Sequence, residues 1–437
     1  MTDTLEKPAA THSRVAADDT RPSIRNQAIS TPTDTPIPSE EEGAHWIRKG
    51  TPAYRAVEIA LFLAGFACFS LIYCVQPLLP SFAQSFGLSP GAASLALSLT
   101  TGFLACSIMV TAAISQSMGR RGMMLASMTV AAVLTIIAAL VPSWHALLIS
   151  RAALGVMLGG VPAVAMAYLA EEIEPAQLGK VMGLFIAGNA FGAMMGRVGM
   201  GVITEFASWQ TALGTLGVMC FVAAVGFAFL LPRSQNFVAQ RKQPLSYHFR
   251  TWGEHLRNPQ MQRLYGLGFV FTSIFVTMFN YASFRLAEAP FELSQTARSL
   301  IFLVYGMGMV SSTVAGNLTT RFGQRKSLVI SFTATLAGVL LTLDNQLPVI
   351  ILGIALVTIG FFIGHAVASG AIGPLAGSTK GHASSLYLMF YYFGSSITGT
   401  IGGYFWEHGG WLAVCALTAL IALAGLWLSL LGRKAAA

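Results

Sequence analysis

Charge is scarce in this chain, and acidic charge is scarcer still where the sequence is apolar. Only 10% of the 437 residues are Asp, Glu, Lys or Arg, where a soluble surface needs about a quarter. Of the eighteen acids, eight lie within the first 42 residues, and others such as Glu58, Glu205, Asp344 and Glu407 sit at the ends of apolar runs. No carboxylate is placed deep within one. Cysteine is also sparse: Cys68, Cys74, Cys106, Cys220 and Cys415 all fall inside apolar runs, without a CxxC pair or a His at metal spacing. They read as small apolar residues, not as metal ligands or disulfides. No GxSxG, HExxH or glycine-rich phosphate loop occurs. Connections such as Pro142-Ser143-Trp144 and Asn345-Gln346-Leu347 leave no room for a soluble catalytic domain. An enzyme would have to work wholly inside a bilayer, so a non-enzymatic protein without metal or cofactor is expected.

What the chain does have is long hydrophobic runs. Hydrophobic residues make up 54% of it, and from Ala56 to Leu431 apolar runs follow one another, most of them of about 20 residues, the length that crosses a ~30 Å hydrocarbon core. Twelve spans are predicted near 57–79, 92–115, 122–141, 146–169, 180–203, 208–231, 263–287, 296–318, 326–344, 348–372, 382–405 and 410–431. The net charge of +8 would suggest nucleic acid in a soluble chain, but here the basic residues follow topology. With the N-terminus inside, eighteen Lys and Arg after residue 47 fall in inner segments and only Arg285 and Arg298 in outer ones. The positive-inside rule then puts both termini in the cytoplasm of a multi-pass plasma-membrane protein, the inner membrane of a bacterium.

The expected organisation is a disordered cytoplasmic tail over 1–47, a six-helix bundle over 48–231, a cytoplasmic connector over 232–262 and a second six-helix bundle over 263–437. The tail is rich in Thr, Ser and Pro and lacks the charged start and hydrophobic core of a signal peptide. Within the connector, Leu245, Phe249, Trp252 and Leu256 recur at helical spacing among polar residues. That spacing fits a short amphipathic helix on the membrane surface, or equally a linker with some helicity.

The two bundles carry a repeat. Gly192, Gly201, Glu205 and Trp209 recur 202 residues later as Gly394, Gly403, Glu407 and Trp411, and Gly119-Arg120-Arg121 recurs 204 residues later as Gly323-Gln324-Arg325. Internal repeats of apolar helices mark secondary transporters.

The loop between spans two and three, Ala112 to Arg121, ends Met118-Gly119-Arg120-Arg121. Its second copy runs from Gly316 to Lys326 and keeps Arg321, Gly323 and Arg325. With twelve spans in two sixes and a long connector, these loops resemble the Gly-x-x-x-Asp-Arg-x-Gly-Arg-Arg motif of the major facilitator superfamily. Both copies lack its Asp; Gln116 and Ser117 replace the acid and the first Arg. The resemblance implies an all-α fold of two pseudo-symmetric six-helix bundles. Glu171, Glu172 and Glu174, ending span four on the same side, are natural partners for Arg120 and Arg121. These loops are read as a cytoplasmic gate, with membrane anchoring by the same arginines as the plainer account. Ser150-Arg151 followed by Gly155, Gly159 and Gly160 resembles the fourth span of the family's proton-coupled exporters, and the glycine ladder from Gly188 to Gly201 resembles their fifth, with Arg197 where a proline is expected. Tyr73-x-Val75-Gln76-Pro77-Leu78-Leu79-Pro80 together with Gly196-Arg197 is similar to the bacterial YnfM-type branch of efflux transporters, related to arabinose-efflux permeases.

Polar residues within spans are costly and therefore invite function. Arg197 lies about two-thirds of the way across span five, too deep to snorkel, and must face a cavity or an acid. Arg151 enters span four by about five residues and is able to snorkel outward. His365 in span ten is a candidate proton carrier; bonding to a neighbouring carbonyl is its commoner fate. Asn189, Asn280, Tyr281, Tyr387 and Tyr391 offer polar and aromatic surface between the halves, although not all of them can face one cavity. Gln76-Pro77 marks a break in span one that frees backbone groups. Arg285 and Glu288 are spaced to pair at the outer rim. The expected activity is proton-linked export of small drug- or sugar-like molecules by alternating access. An importer or uniporter of a small organic anion is the alternative, and a non-transporting sensor the remaining one. The expected partners are a small-molecule substrate and the bilayer, with no nucleic acid. The proton gradient is the expected energy source, and one chain encloses the whole pathway as a monomer.

Overall fold

A computed structural model describes residues 46–115, 119–237 and 243–431, apart from the Ala163 side chain. The predicted tail falls on residues outside this set except for its last two. Of those two, Ile47 forms a parallel bridge with Ile173. Gln116 and Ser117 of the span two–three loop also lie outside the described residues.

The helices start where the sequence supplies caps. Thr51-Pro52, Ser89-Pro90 and Asn258-Pro259 each place a hydrogen-bonding side chain at the N-cap and proline in the first turn, where its missing N–H costs nothing. Among the described residues, nine helical stretches are long and apolar enough to cross a bilayer. Two of these hold two passes each. Gln295–Leu341 is kinked at Gly323, with φ 78° and ψ 160°, and Gly377–Leu430 is kinked at Gly410, with φ 58° and ψ −151°. Only glycine takes such dihedrals without strain. A further pass is divided into Trp144–Leu158 and Pro162–Glu172 by Gly159 and Gly160. Twelve passes result, called here spans one to twelve.

All the basic loops lie at one end of the spans, termed the basic face. The short connections around Ser143 and Gln346 lie at the other, termed the opposite face. The predicted amphipathic helix is present in full as Leu245–Arg257. It leaves Leu245 and Phe249 exposed while Trp252 is buried.

Within the first half, span one packs on span five, two on four and three on six. Within the second, span seven packs on eleven and twelve, and ten packs on the kinked pair eight and nine. The halves meet along span two against span eleven and span five against the start of span eight. Spans one and five cross tightly at Gly192, where an added Cβ would stand 2.3 Å from the Phe66 carbonyl oxygen. Ser70 Oγ donates to the Gly192 carbonyl at 2.9 Å across the same crossing.

Candidate substrate site between the two halves

Span one is helical from Pro52 to Tyr73, passes through a 3₁₀ turn at Gln76–Leu78 and resumes at Leu79–Phe86. The helix stops at Tyr73 before the Gln76-Pro77 turn, so carbonyls of its last turn need other donors. Arg151 supplies them. Its Nη1 donates to the Leu71 carbonyl at 2.9 Å, its Nη2 to Ile72 at 2.6 Å and its Nε to Ala96 of span two at 3.2 Å. The residue is fully buried, so it does not snorkel to the surface and faces no open space. It is a bracket joining spans one, two and four.

Arg197 is surrounded differently. Its Nε donates to Gln76 Oε1 at 2.7 Å and its Nη1 to the Ala193 carbonyl, while Nη2 makes no hydrogen bond among the described residues. The guanidinium carbon lies 4.3 Å from the Tyr73 ring centroid, 4.7 Å from Tyr305 and 5.2 Å from Phe302. This is a cation–π cage made from both halves. Among the described residues no carboxylate oxygen comes within 4.0 Å of this cation. Gln76 Nε2 in turn donates to Asn280 Oδ1 at 2.8 Å. The direction of this chain is forced: guanidinium only donates, so Gln76 Oε1 accepts and its amide must donate onward. Asn280 is thereby left with a buried Nδ2 that has no acceptor among the described residues.

A second cluster continues from the cage. Tyr305 lies 5.2 Å from Phe275, which stacks on Phe361 at 3.9 Å, and Phe361 stacks on His365 at 5.8 Å. The half-buried His365 shares a 2.9 Å hydrogen bond with the Tyr387 hydroxyl and lies 4.8 Å from the Tyr391 ring. It is therefore not bonded to a backbone carbonyl through Nδ1. Aromatic rings run without interruption from His365 to Arg197.

The structure thus brings Gln76, Arg197 and Asn280 into one group and His365, Tyr387 and Tyr391 into an adjoining one. Tyr281 stands apart, donating to the Gly399 carbonyl at 2.7 Å to tie span seven to span eleven. Asn189 packs against Gly65, with its Oδ1 buried and unbonded. Tyr73, Phe302 and Tyr305 escape the sequence reading as site residues. Tyr73 had a signal, one helical turn before Gln76; nothing in the sequence singles out Phe302 or Tyr305.

A sequence profile described as Major Facilitator Superfamily matches residues 61–311 and 287–437. The uncharacterized MFS-type transporter YybF of Bacillus subtilis is 45% identical over 384 residues, covering 88% of this chain and 95% of the relative. The chain belongs to the Major Facilitator Superfamily. The inner membrane transport protein YnfM of Escherichia coli is 42% identical over 391 residues, covering 89% and 93%. An inward-facing, unoccupied bacterial homologue of the lysosomal transporter Spinster shares the fold, with TM-score 0.65 at 14% identity and 88% and 95% coverage. This protein is a multi-pass membrane transporter of that superfamily.

The superfamily loop at the basic face is partly built. Gly119 is the N-cap of span three and supplies no side-chain cap. Arg120 Nη2 and Nε bind the two Glu171 oxygens at 2.6 and 3.1 Å, and its guanidinium lies 5.1 Å from the Phe237 ring. Among the described residues Arg121 reaches no acid; it donates to the Ala228 carbonyl. Glu172 instead accepts the backbone N–H groups of Gln235 and Asn236, both at 3.0 Å. The Arg120–Glu171 pair lies wholly within the first half, so in this conformation it braces spans three and four and does not latch one half to the other. In the second copy Arg321 is exposed and makes no ion pair among the described residues, while Gly323 forms the kink and Arg325 starts the next arm. Arg285 does not pair with Glu288 either; it donates to the carbonyls of Thr342 and Asp344.

Proposed function

We propose that this transporter exports small organic molecules bearing an acidic group, and that Arg197 holds the acid. The observation that carries this reading is a buried guanidinium, 1% exposed, enclosed by aromatic rings and lacking a carboxylate partner among the described residues. A buried cation without a counterion is expensive, and rings, the Gln76 amide and the Ala193 carbonyl offset only part of that cost. A ligand carboxylate supplies the missing charge in the fork geometry that arginine favours. The neighbouring rings suit an apolar or aromatic body on the same molecule. The basic face is taken as cytoplasmic by the positive-inside rule, with both termini there and the pathway enclosed in one monomer in the bacterial inner membrane. YnfM, named as an inner membrane protein, supports that placement.

Proton linkage is the second part of the proposal, and His365 with its Tyr387 partner is the group that would carry the proton. Proteoliposomes under an imposed pH gradient test both parts, with panels of aromatic carboxylates and of matched organic cations. Carboxylate flux should follow the gradient, and Arg197→Ala should reduce it at least about tenfold, the effect of losing one charge-assisted contact. Loss of cation flux with carboxylate flux retained would sink the anion reading. Flux independent of the gradient would sink the proton reading, and gradient-driven movement toward the basic face would reverse the direction.

A further inference from the structure

The repeated Gly-x-x-x-Glu motif has a place in the structure that the substrate site does not use. Gly201 and Glu205 end span five at the opposite face, and Gly403 and Glu407 occupy the same position in span eleven. In the first copy Glu205 Oε2 accepts from Ser294 Oγ at 2.9 Å and from the Thr296 backbone N–H at 2.5 Å, both at the start of span eight in the other half. In the second copy Glu407 Oε1 accepts from the Gly91 backbone N–H at 3.4 Å, at the start of span two in the first half. Ser89 and Ser294, the N-caps of those helices, fill the same role in each half.

The glycines let the helices come close enough for these bonds. A Cβ on Gly201 would stand 2.0 Å from Ser299 Oγ, and one on Gly403 would stand 2.1 Å from Gly91 Cα. Each glutamate lies one helical turn beyond its glycine and reaches the first free N–H groups of the facing helix, which have no partner inside that helix. Gln295 Nε2 adds a bond to the Pro77 carbonyl at 2.7 Å across the same seam. At the basic ends of the spans, by contrast, the polar bonds among the described residues stay within one half or tie it to the connector.

We propose that Glu205 and Glu407 are paired gate residues that hold the transporter closed on the opposite face, each by capping the first helical turn of a span in the other half. Opening that face requires both caps to release. The inference rests on the family's transport activity and not on the choice of substrate.

Spin labels on Gln210→Cys and Asn345→Cys, both exposed at the opposite face on different halves, report the separation by pulsed electron paramagnetic resonance in a Cys106→Ser background. Glu205→Ala and Glu407→Ala should each raise the ratio of long to short distances at least about fivefold, as expected for losing the one or two charge-assisted hydrogen bonds of a carboxylate at an exposed site, with Glu205→Ala the larger effect. The double variant should give roughly the product, because the two caps lie on separate seams. Glutamine at both positions keeps an acceptor oxygen and should restore much of the closed population. If the alanine pair fails to fold, the glutamine pair should still show a smaller lengthening. Unchanged distances in the folded double variant, alanine or glutamine, overturn the proposal. A merely structural role would lower the thermal midpoint without moving the distance ratio.

Discussion

Arg151 and Arg197 are both arginines buried in the membrane, but they meet opposite surroundings. Arg151 donates to two backbone carbonyls freed by the break in span one and to the Ala96 carbonyl of span two, whereas among the described residues Arg197 leaves Nη2 unbonded within a ring of aromatics. Their substitutions should therefore diverge. Arg151→Ala strands the Ile72 carbonyl in a dry interior, leaves Leu71 only the weak Cys74 thiol donor and unties three spans, and should cost about 3–5 kcal/mol, seen as a large drop in thermal midpoint in detergent. Arg151→Lys should recover only part, since one ammonium cannot match a fork of donors. Arg197→Met should abolish carboxylate transport with little loss of thermal midpoint, because it removes an uncompensated charge. Equal destabilisation at the two sites would show that Arg197 is a second bracket. The sequence identifies both residues as exceptional, since charge inside an apolar run is visible to hydropathy. It does not separate them: the partners of Arg151 are backbone atoms 55 to 80 residues away, and those of Arg197 include rings on two spans, one from each half.

The helices themselves are the most legible element, because length and apolarity are what a bilayer selects. The twelve predicted spans correspond to the twelve passes, and Gln76-Pro77 marks the interruption of span one in advance. The 3₁₀ turn at Leu300–Val304 and the π-turn at Gly394–Thr398 leave no comparable trace, since neither holds a proline and both follow from how a span fits its neighbours. The glycine ladder of span five is legible as a ladder, but which rungs touch span one is not. Gly188 and Gly192 meet the Phe62 and Phe66 backbone, while a Cβ on Gly199 would meet nothing within 4 Å. Gly192→Ala should accordingly push spans one and five apart and cost about 1–3 kcal/mol as overpacking. Gly199→Ala should be neutral or raise stability by up to about 1 kcal/mol through helix propensity. Thermal unfolding of the two variants in one detergent decides this, and a destabilised Gly199→Ala would show that the crossing is not what sets glycine there.

At the scale of the whole molecule, the repeat matters most where its two copies touch. Gln76 and Asn280 are 204 residues apart, the offset that relates Gly119 to Gly323, and they bond each other across the halves at 2.8 Å. On one side of this pair stands Arg197. On the other, at the offset of 202, stands Gly399, which presents no side chain at all, and the Asn280 Nδ2 beside it has no acceptor among the described residues. A symmetric scaffold therefore holds an asymmetric charge at its centre, and the link between that charge and the second half runs through two amides. Either half can rock only by stretching or re-forming this link, so an anion that draws Arg197 away from Gln76 also loosens Asn280. The two amides should consequently behave as one unit. Gln76→Ala and Asn280→Ala should each lower carboxylate flux, and the double variant should be no slower than the slower single, a coupling of about 0.5–1.5 kcal/mol. Flux losses that multiply in the double variant would mean that the bond is incidental and that Arg197 reaches the second half only through the rings of Phe302 and Tyr305.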